Sequence, residues 1–352
     1  MSVDIQNRGT TIPEDTADVP TSGAGTVDQA AIIAAEPKAL TLRVQQKRWE
    51  ADGVVSITFV DPQGAELPQW LPGSHLSLHL PNGLTREYSL CSDPNDSSAW
   101  TVAVLRTTDS RGGSRLIHDE LPVGTLLTVE GPRNNFELEH AQRYALVAGG
   151  IGITPIISMA RRLEAAGADW SLLYTGRSRS TMAFLPEISG FPAHRISIHA
   201  MDEAGGAYAD LPKAVGALPP EALVYACGPE SLMQAVAGAM ADDSQLRIER
   251  FKAPEVVSGP ETEATSFDVI CQRSSQRVAV GPDISVLDAL NDAGIFVPSS
   301  CAEGICGTCE TGVVAGDVEH RDFLLSPAEQ AENKTMFVCV SRCRSRELIL
   351  DL

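Results

Sequence analysis

Cys301-Ala-Glu-Gly-Ile-Cys306-Gly-Thr-Cys309, with Cys339 thirty positions further on, constrains this chain more than any other stretch. Four thiolates spaced C-x4-C-x2-C…C form the ligand set of a plant-type 2Fe–2S cluster. Gly304 and Gly307 let the loop backbone curl so that its N–H groups can face the cluster sulfurs. The competing reading is a four-cysteine zinc site, but such sites use paired C-x2-C knuckles, and only one such pair is present. Cys343 offers an alternative fourth thiolate. Cys339 is preferred because it follows the apolar Met336-Phe337-Val338, whereas Cys343 sits among Arg342, Arg344 and Arg346.

A length of 352 residues exceeds one ordinary core and implies two or three domains. Hydrophobic residues make up 43% and charged residues 21%, the balance of a soluble globular chain. The net charge of −19 argues against nucleic acid or an anionic membrane surface as partner. It favours a basic docking face on another protein, or serves only to keep the chain soluble. The other cysteines, Cys91, Cys227 and Cys271, are isolated, so no disulfide framework is expected. Thiolates reserved for a cluster fit a reducing compartment. With no apolar run long enough to span a bilayer and no secretory start, a cytoplasmic location is expected.

Residues 1–38 are rich in Thr, Asp, Gly, Ala and Pro and are expected to be a disordered tail. From 39 to 140 the pattern is β. Thr41–Trp49 and Val54–Val60 flank the hairpin signal Asp52-Gly53, and Ser74–Leu80, Arg86–Cys91, Trp100–Arg106 and Thr125–Glu130 follow, with one helix at Arg115–Leu121. Six short strands with Gly/Pro turns predict a small antiparallel barrel. From 141 to 252 strands alternate with helices (Tyr144–Ala148, Ser171–Thr175, Arg195–Met201, Ala222–Cys227 and Leu246–Phe251), predicting an α/β domain with a parallel sheet. Residues 253–264 read as a linker, and 265–352 as a domain with strands at Phe267–Cys271, Arg277–Val280 and Glu347–Leu352 and a helix at Val286–Ala293.

Gly149-Gly150-Ile-Gly152-Ile-Thr154-Pro155 follows a buried strand and opens a helix, where free N–H groups favour an anion. It departs from G-x-G-x-x-G, and many strand–helix corners carry glycine without a ligand. Cys227-Gly228-Pro229 ends a later strand, where α/β sheets bind ligands, or is a plain turn. Arg177 and Arg179 can meet ribose or phosphate, or simply lie in solvent. In the barrel, Arg86-Glu87-Tyr88-Ser89 and Arg111-Gly112-Gly113-Ser114 supply two guanidinium groups, glycine amides and a hydroxyl for one phosphate, with Tyr88 as a face for a flat ring. Residue types alone favour a plain basic strand and a hairpin turn.

Together, and in this order, these motifs resemble the phthalate dioxygenase reductase family over about residues 40–352. The resemblance implies a flavin-binding barrel, a nicotinamide-binding domain and a C-terminal α+β β-grasp ferredoxin. It assigns Arg86, Glu87, Tyr88, Ser89, Ala103, Val104, Leu105, Arg111, Gly112, Gly113, Ser114, Thr154 and Phe251 to FMN. It assigns Gly150, Gly152, Cys227, Gly228 and Pro229 to the nicotinamide dinucleotide, and Cys301, Cys306, Cys309 and Cys339 to the cluster. Some members carry lysine where this chain has Leu105. The resemblance implies NADH as donor, with NADPH open through Arg177 and Arg179, and a Rieske-type terminal oxygenase as acceptor. A haem-thiolate monooxygenase as acceptor, or a redox-sensing role, are the alternatives. NADH gives two electrons as a hydride and a cluster takes one, so a flavin must stand between them. No side chain is then expected to act as a catalytic acid or base.

Overall fold

The computed structural model describes residues 38–108, 111–215, 218–219, 221–254 and 265–352. The expected tail up to residue 37 and linker residues 255–264 lie outside the described residues. Lys38, expected in the tail, instead opens the first strand.

Strands β1 (Lys38–Ala51), β2 (Val54–Val60), β3 (Ser74–His79), β4 (Thr85–Ser89) and β5 (Trp100–Leu105), helix α1 (Gly113–Asp119) and strand β6 (Leu126–Asn134) form the first unit. The sheet runs β4-β3-β6-β1-β2-β5, antiparallel throughout. A bridge from Leu90 to Val102 draws its two edges together and curls it towards closure. Alternate side chains, among them Leu42, Val44, Ile57, Phe59, Leu76 and Leu78, fill its interior.

The second unit comprises β7 (Arg143–Gly149), α2 (Ile153–Ala165), β8 (Asp169–Gly176), α3 (Leu185–Ile188), β9 (Ile196–Ala200), α4 (Leu211–Val215), β10 (Ala222–Cys227), α5 (Glu230–Ala239) and β11 (Leu246–Glu249). All five strands are parallel, in the order β11-β10-β7-β8-β9. Helix α2 buries Ile153, Ile156, Ile157, Ala160 and Leu163 on one face. Each of its large aliphatic side chains contributes about 2 kcal/mol by leaving water. The chain leaves β7 towards β8 on one side, while β10 lies on the other, so the topological switch point falls between β7 and β10.

These two units share one core: Ala51, Val54, Cys91, Ala103 and Phe136 of the barrel pack with Leu146, Ile153 and Tyr225 of the α/β unit. The Tyr225 hydroxyl donates to the Glu137 carbonyl at 3.0 Å and accepts from the Glu139 N–H at 2.8 Å. Arg161 donates to the carbonyls of Cys91 and Ser92. Such a joint leaves little room for independent motion.

The third unit holds β12 (Phe267–Cys271), β13 (Gln276–Val280), α6 (Val286–Asp292), β14 (Glu310–Ala315), β15 (Val318–Glu319), α7 (Pro327–Glu332), β16 (Thr335–Phe337), β17 (Arg342–Cys343) and β18 (Glu347–Leu350). Its mixed sheet, β13-β12-β18-β14-β16, pairs β12 and β18 in parallel, and α6 supplies Val286, Leu287 and Leu290 to the core beneath. Barrel, parallel sheet and β-grasp are the architecture the sequence leads one to expect.

Candidate functional site

The cysteine loop sits at the end of α6 and runs into β14. Its thiols gather: Cys306 reaches Cys301, and Cys339, just past β16, reaches both Cys301 and Cys309. Among the described residues no three His, Cys, Asp or Glu side chains converge on the position of one ion. These contacts bring Cys301, Cys306, Cys309 and Cys339 together at one place. Cys343 is buried elsewhere, its Sγ 3.0 Å from the Ser345 hydroxyl. The loop backbone faces the sulfurs as expected, with the Glu303 N–H donating to Cys301 Sγ at 3.3 Å. Gly304, with φ of +69°, packs so closely on Val340 and Asp322 that a Cβ would lie 2.7 Å from a Val340 methyl. The Asp322 carboxylate accepts from the amides of Leu324 and Leu325, and the Phe323 N–H donates to the Gly304 carbonyl, bracing the loop from behind.

Beside this loop a cleft of about 860 Å³, counting space open to solvent, lies between barrel, α/β unit and cysteine loop. Arg86, Glu87, Tyr88 and Ser89 of β4, Arg111, and Phe251 beyond β11 line it, together with Cys301 and Cys306. Gly113 approaches Arg86 so closely that a Cβ would meet its Cγ at 2.8 Å. The arginine strand and the glycine turn therefore meet at one place. Burial, and then the neighbouring Arg111, hold the Arg86 guanidinium below its usual value. Two like charges side by side, with a glycine backbone against them, suit a phosphate monoester. The Glu87 carboxylate turns towards the Ser77 hydroxyl, which donates to it at 2.9 Å, and towards His75 at 3.8 Å. Tyr88 is largely buried, and its hydroxyl is pushed above the ordinary range.

The other expected flavin residues do not line the cleft. Ala103 and Val104 are buried in β5, where the Val104 carbonyl is bonded by His118 at 2.9 Å. Leu105 ends that strand. Ser114 interacts with Thr107, its hydroxyl accepting from the Thr107 N–H at 3.4 Å. Thr154 is buried at the start of α2, its hydroxyl donating to the Ile151 carbonyl at 3.1 Å.

The two glycine motifs of the α/β unit meet at the switch point. A Cβ on Gly152 would stand 2.2 Å from the Cys227 carbonyl oxygen, and one on Gly228 would stand 2.9 Å from Gly149 Cα. The turn after β7, carrying Gly150, and the turn after β10, carrying Pro229, thus form one corner at the carboxyl ends of adjacent strands. That is where an open α/β sheet receives its ligand.

Glu249, at the end of β11, is a residue the sequence reading missed. It lines the cleft, and Ser89 donates its hydroxyl to the carboxylate at 3.2 Å. Burial pushes its carboxyl up to about 8, only partly offset by that hydrogen bond. Burial likewise raises the thiol of Cys227 well above its ordinary value, with Glu249 adding to the effect. Both groups thus favour their protonated forms where the glycine corner meets the cleft.

Residues 269–344 match the model of the 2Fe-2S iron-sulfur cluster binding domain. The phenoxybenzoate dioxygenase subunit beta of Ectopseudomonas oleovorans is 40% identical over 316 residues, covering 89% of this chain and 97% of that one. The crystal structure of phthalate dioxygenase reductase, described as modular for electron transfer from pyridine nucleotides to [2Fe–2S], is 36% identical with a TM-score of 0.65. That match covers 89% of this chain and 98% of that one. The chain belongs to the phthalate dioxygenase reductase family. As a member it is an electron-transferring oxidoreductase with a flavin module and a 2Fe–2S module. An intact type IV self-sufficient cytochrome P450 monooxygenase is also similar, with 42% identity and a TM-score of 0.83, over 89% of this chain and 41% of that larger one. Among the described residues no helix is long and apolar enough to cross a membrane.

Proposed function

We propose that this chain is the reductase component of a two-component oxygenase system, carrying electrons from NADH through FMN and a 2Fe–2S cluster to a Rieske-type terminal oxygenase. The observation that carries this reading is the shared cleft, lined by Arg86, Tyr88 and Phe251 together with Cys301 and Cys306. A flavin held there would supply the needed chemistry, taking two electrons as one hydride and releasing them one at a time.

The chain's own residues do the rest by position. Arg86, Arg111, Gly112 and Gly113 hold the phosphate, Tyr88 packs against the ring, and Phe251, 43% exposed on the cleft, covers its open face. Gly150, Gly152 and Cys227–Pro229 seat the nicotinamide dinucleotide at the switch point. Ser89 donates its hydroxyl to Glu249 at the meeting of the two sites, where burial raises the Glu249 carboxyl above its usual value. Cys301, Cys306, Cys309 and Cys339 hold the cluster. One phosphate cradle supports FMN over FAD. Arg179, past β8, is paired with Glu203 at 2.7 Å beside Asp202, and these carboxylates just past β9 disfavour a 2′-phosphate, which supports NADH.

The resemblance to the P450 monooxygenase supports a second reading, in which the acceptor is a haem-thiolate oxygenase. NADH-driven reduction of cytochrome c tests the relay itself. Cys309→Ser is expected to lower that rate by at least about tenfold while NADH still bleaches the flavin. An undiminished rate would contradict a relay through the cluster. Reconstitution with a purified Rieske oxygenase, and separately with a P450, then separates the two acceptors.

A further inference from the structure

The cysteine loop is tied to the cleft from two sides. Asn135, one residue past β6, donates from Nδ2 to the Cys306 carbonyl at 2.9 Å, across 171 positions of sequence. Its amide also occupies the space beside Gly307, where a Cβ would lie 2.9 Å from Nδ2. Glu303 makes the second tie. One carboxylate oxygen lies 2.8 Å from the Arg111 guanidinium, and the other accepts from the Ala253 N–H at 3.2 Å. The Glu303 N–H meanwhile donates to Cys301 Sγ. Neither tie is needed for the loop's own shape, which Gly304, Asp322 and Phe323 set from within its own domain. Both ties reach ligand-bearing residues, one through the Cys306 carbonyl and one through the backbone beside Cys301.

We propose that Asn135 and Glu303 are positioning residues, a two-point latch that sets the separation of flavin and cluster and so governs electron transfer between them. The inference rests on the cofactor assignment above. The step it governs moves one electron at a time from the NADH-reduced flavin to the oxidised cluster. The two electrons of one hydride leave in two such steps, each passed on to the acceptor protein, and one proton returns to solvent. On that assignment the nicotinamide approaches from the glycine corner of the α/β unit, which no latch contact touches. Electron transfer falls off steeply with the separation of donor and acceptor, so loosening the latch slows this step.

Anaerobic stopped-flow mixing of the holoprotein with NADH separates the two steps, because flavin and cluster bleach at different wavelengths. In Asn135→Ala, and in Glu303→Gln, which keeps the side-chain shape, flavin bleaching is expected at the wild-type rate. Cluster bleaching is expected to slow by roughly tenfold or more. Resting flavin fluorescence, quenched by a docked cluster, should rise in both variants without any NADH. In the wild type, salt should slow the cluster phase by screening the Arg111–Glu303 pair, and this dependence should vanish in Glu303→Gln. Wild-type cluster rates and fluorescence in both variants, with both chromophores bound, would overturn the latch. A wild-type protein lacking flavin or cluster absorption would remove the cofactor assignment, and the latch with it.

Discussion

Glu249 shows how much one side chain can depend on its surroundings. Its carboxyl is raised from the ordinary 4.5 to about 8 by burial. Below the ordinary value both folded and unfolded chains hold the proton, so stability is then at its fullest. Between the two values the unfolded chain releases a proton that the folded chain keeps, and stability falls as pH rises until it levels off above about 8. Glu249→Gln should therefore flatten the decline of Tm across that window, as scanning calorimetry at a series of pH values would record. A decline as steep in the variant as in the wild type would mean that Glu249 titrates normally. The cysteines make the complementary case. Cys343→Ser should retain the cluster absorption because its thiol faces Ser345, whereas Cys339→Ser should lose it and keep the flavin. The cysteine set was legible because its spacing is local chemistry. Glu249 was not, since Ser89, its partner, lies 160 positions away and only the fold brings them together.

At the scale of elements, close approaches that only glycine permits organise the switch point. Gly152→Ala would drive a methyl to 2.2 Å from the Cys227 carbonyl, forcing the two turns apart. A stability loss of about 1–3 kcal/mol is expected, with KM for NADH rising more than kcat falls. Denaturant titration and steady-state kinetics would measure both. Arg342 plays the corresponding part in the β-grasp unit: its buried guanidinium donates to the carbonyls of Thr265, Gly281 and Ile284 and stacks on Phe267. Arg342→Ala leaves those acceptors unpaired and should destabilise this unit by about 3 kcal/mol, read as a lower-temperature loss of cluster absorption. The long strands and the helices with apolar periodicity were legible because periodicity is a property of the element itself. Strands β14 to β17 were not, because two to six residues around the cysteine loop carry too little pattern and are set by their partners, β14 between β16 and β18 and β15 against β17. Helix α7 did carry a signal that went unused: Ser326 and Glu329 close a capping box around Pro327.

For the whole molecule, the order of modules was written in the motifs, but their docking was not. Arg86, Tyr88 and Arg111 announce an anion and a ring, and Cys301 to Cys309 announce a cluster. Nothing in either stretch says that they share one cleft, because that depends on contacts such as Asn135 with Cys306, 171 positions apart. The central claim is that one chain carries a two-electron acceptor and a one-electron carrier side by side. The visible spectrum of the purified protein, recorded before and during anaerobic titration with NADH, tests it most directly. Flavin bands with iron–sulfur shoulders, both bleached by NADH, are the predicted result. A spectrum without the cluster component, or a cluster that stays oxidised after NADH has reduced the flavin, would contradict it.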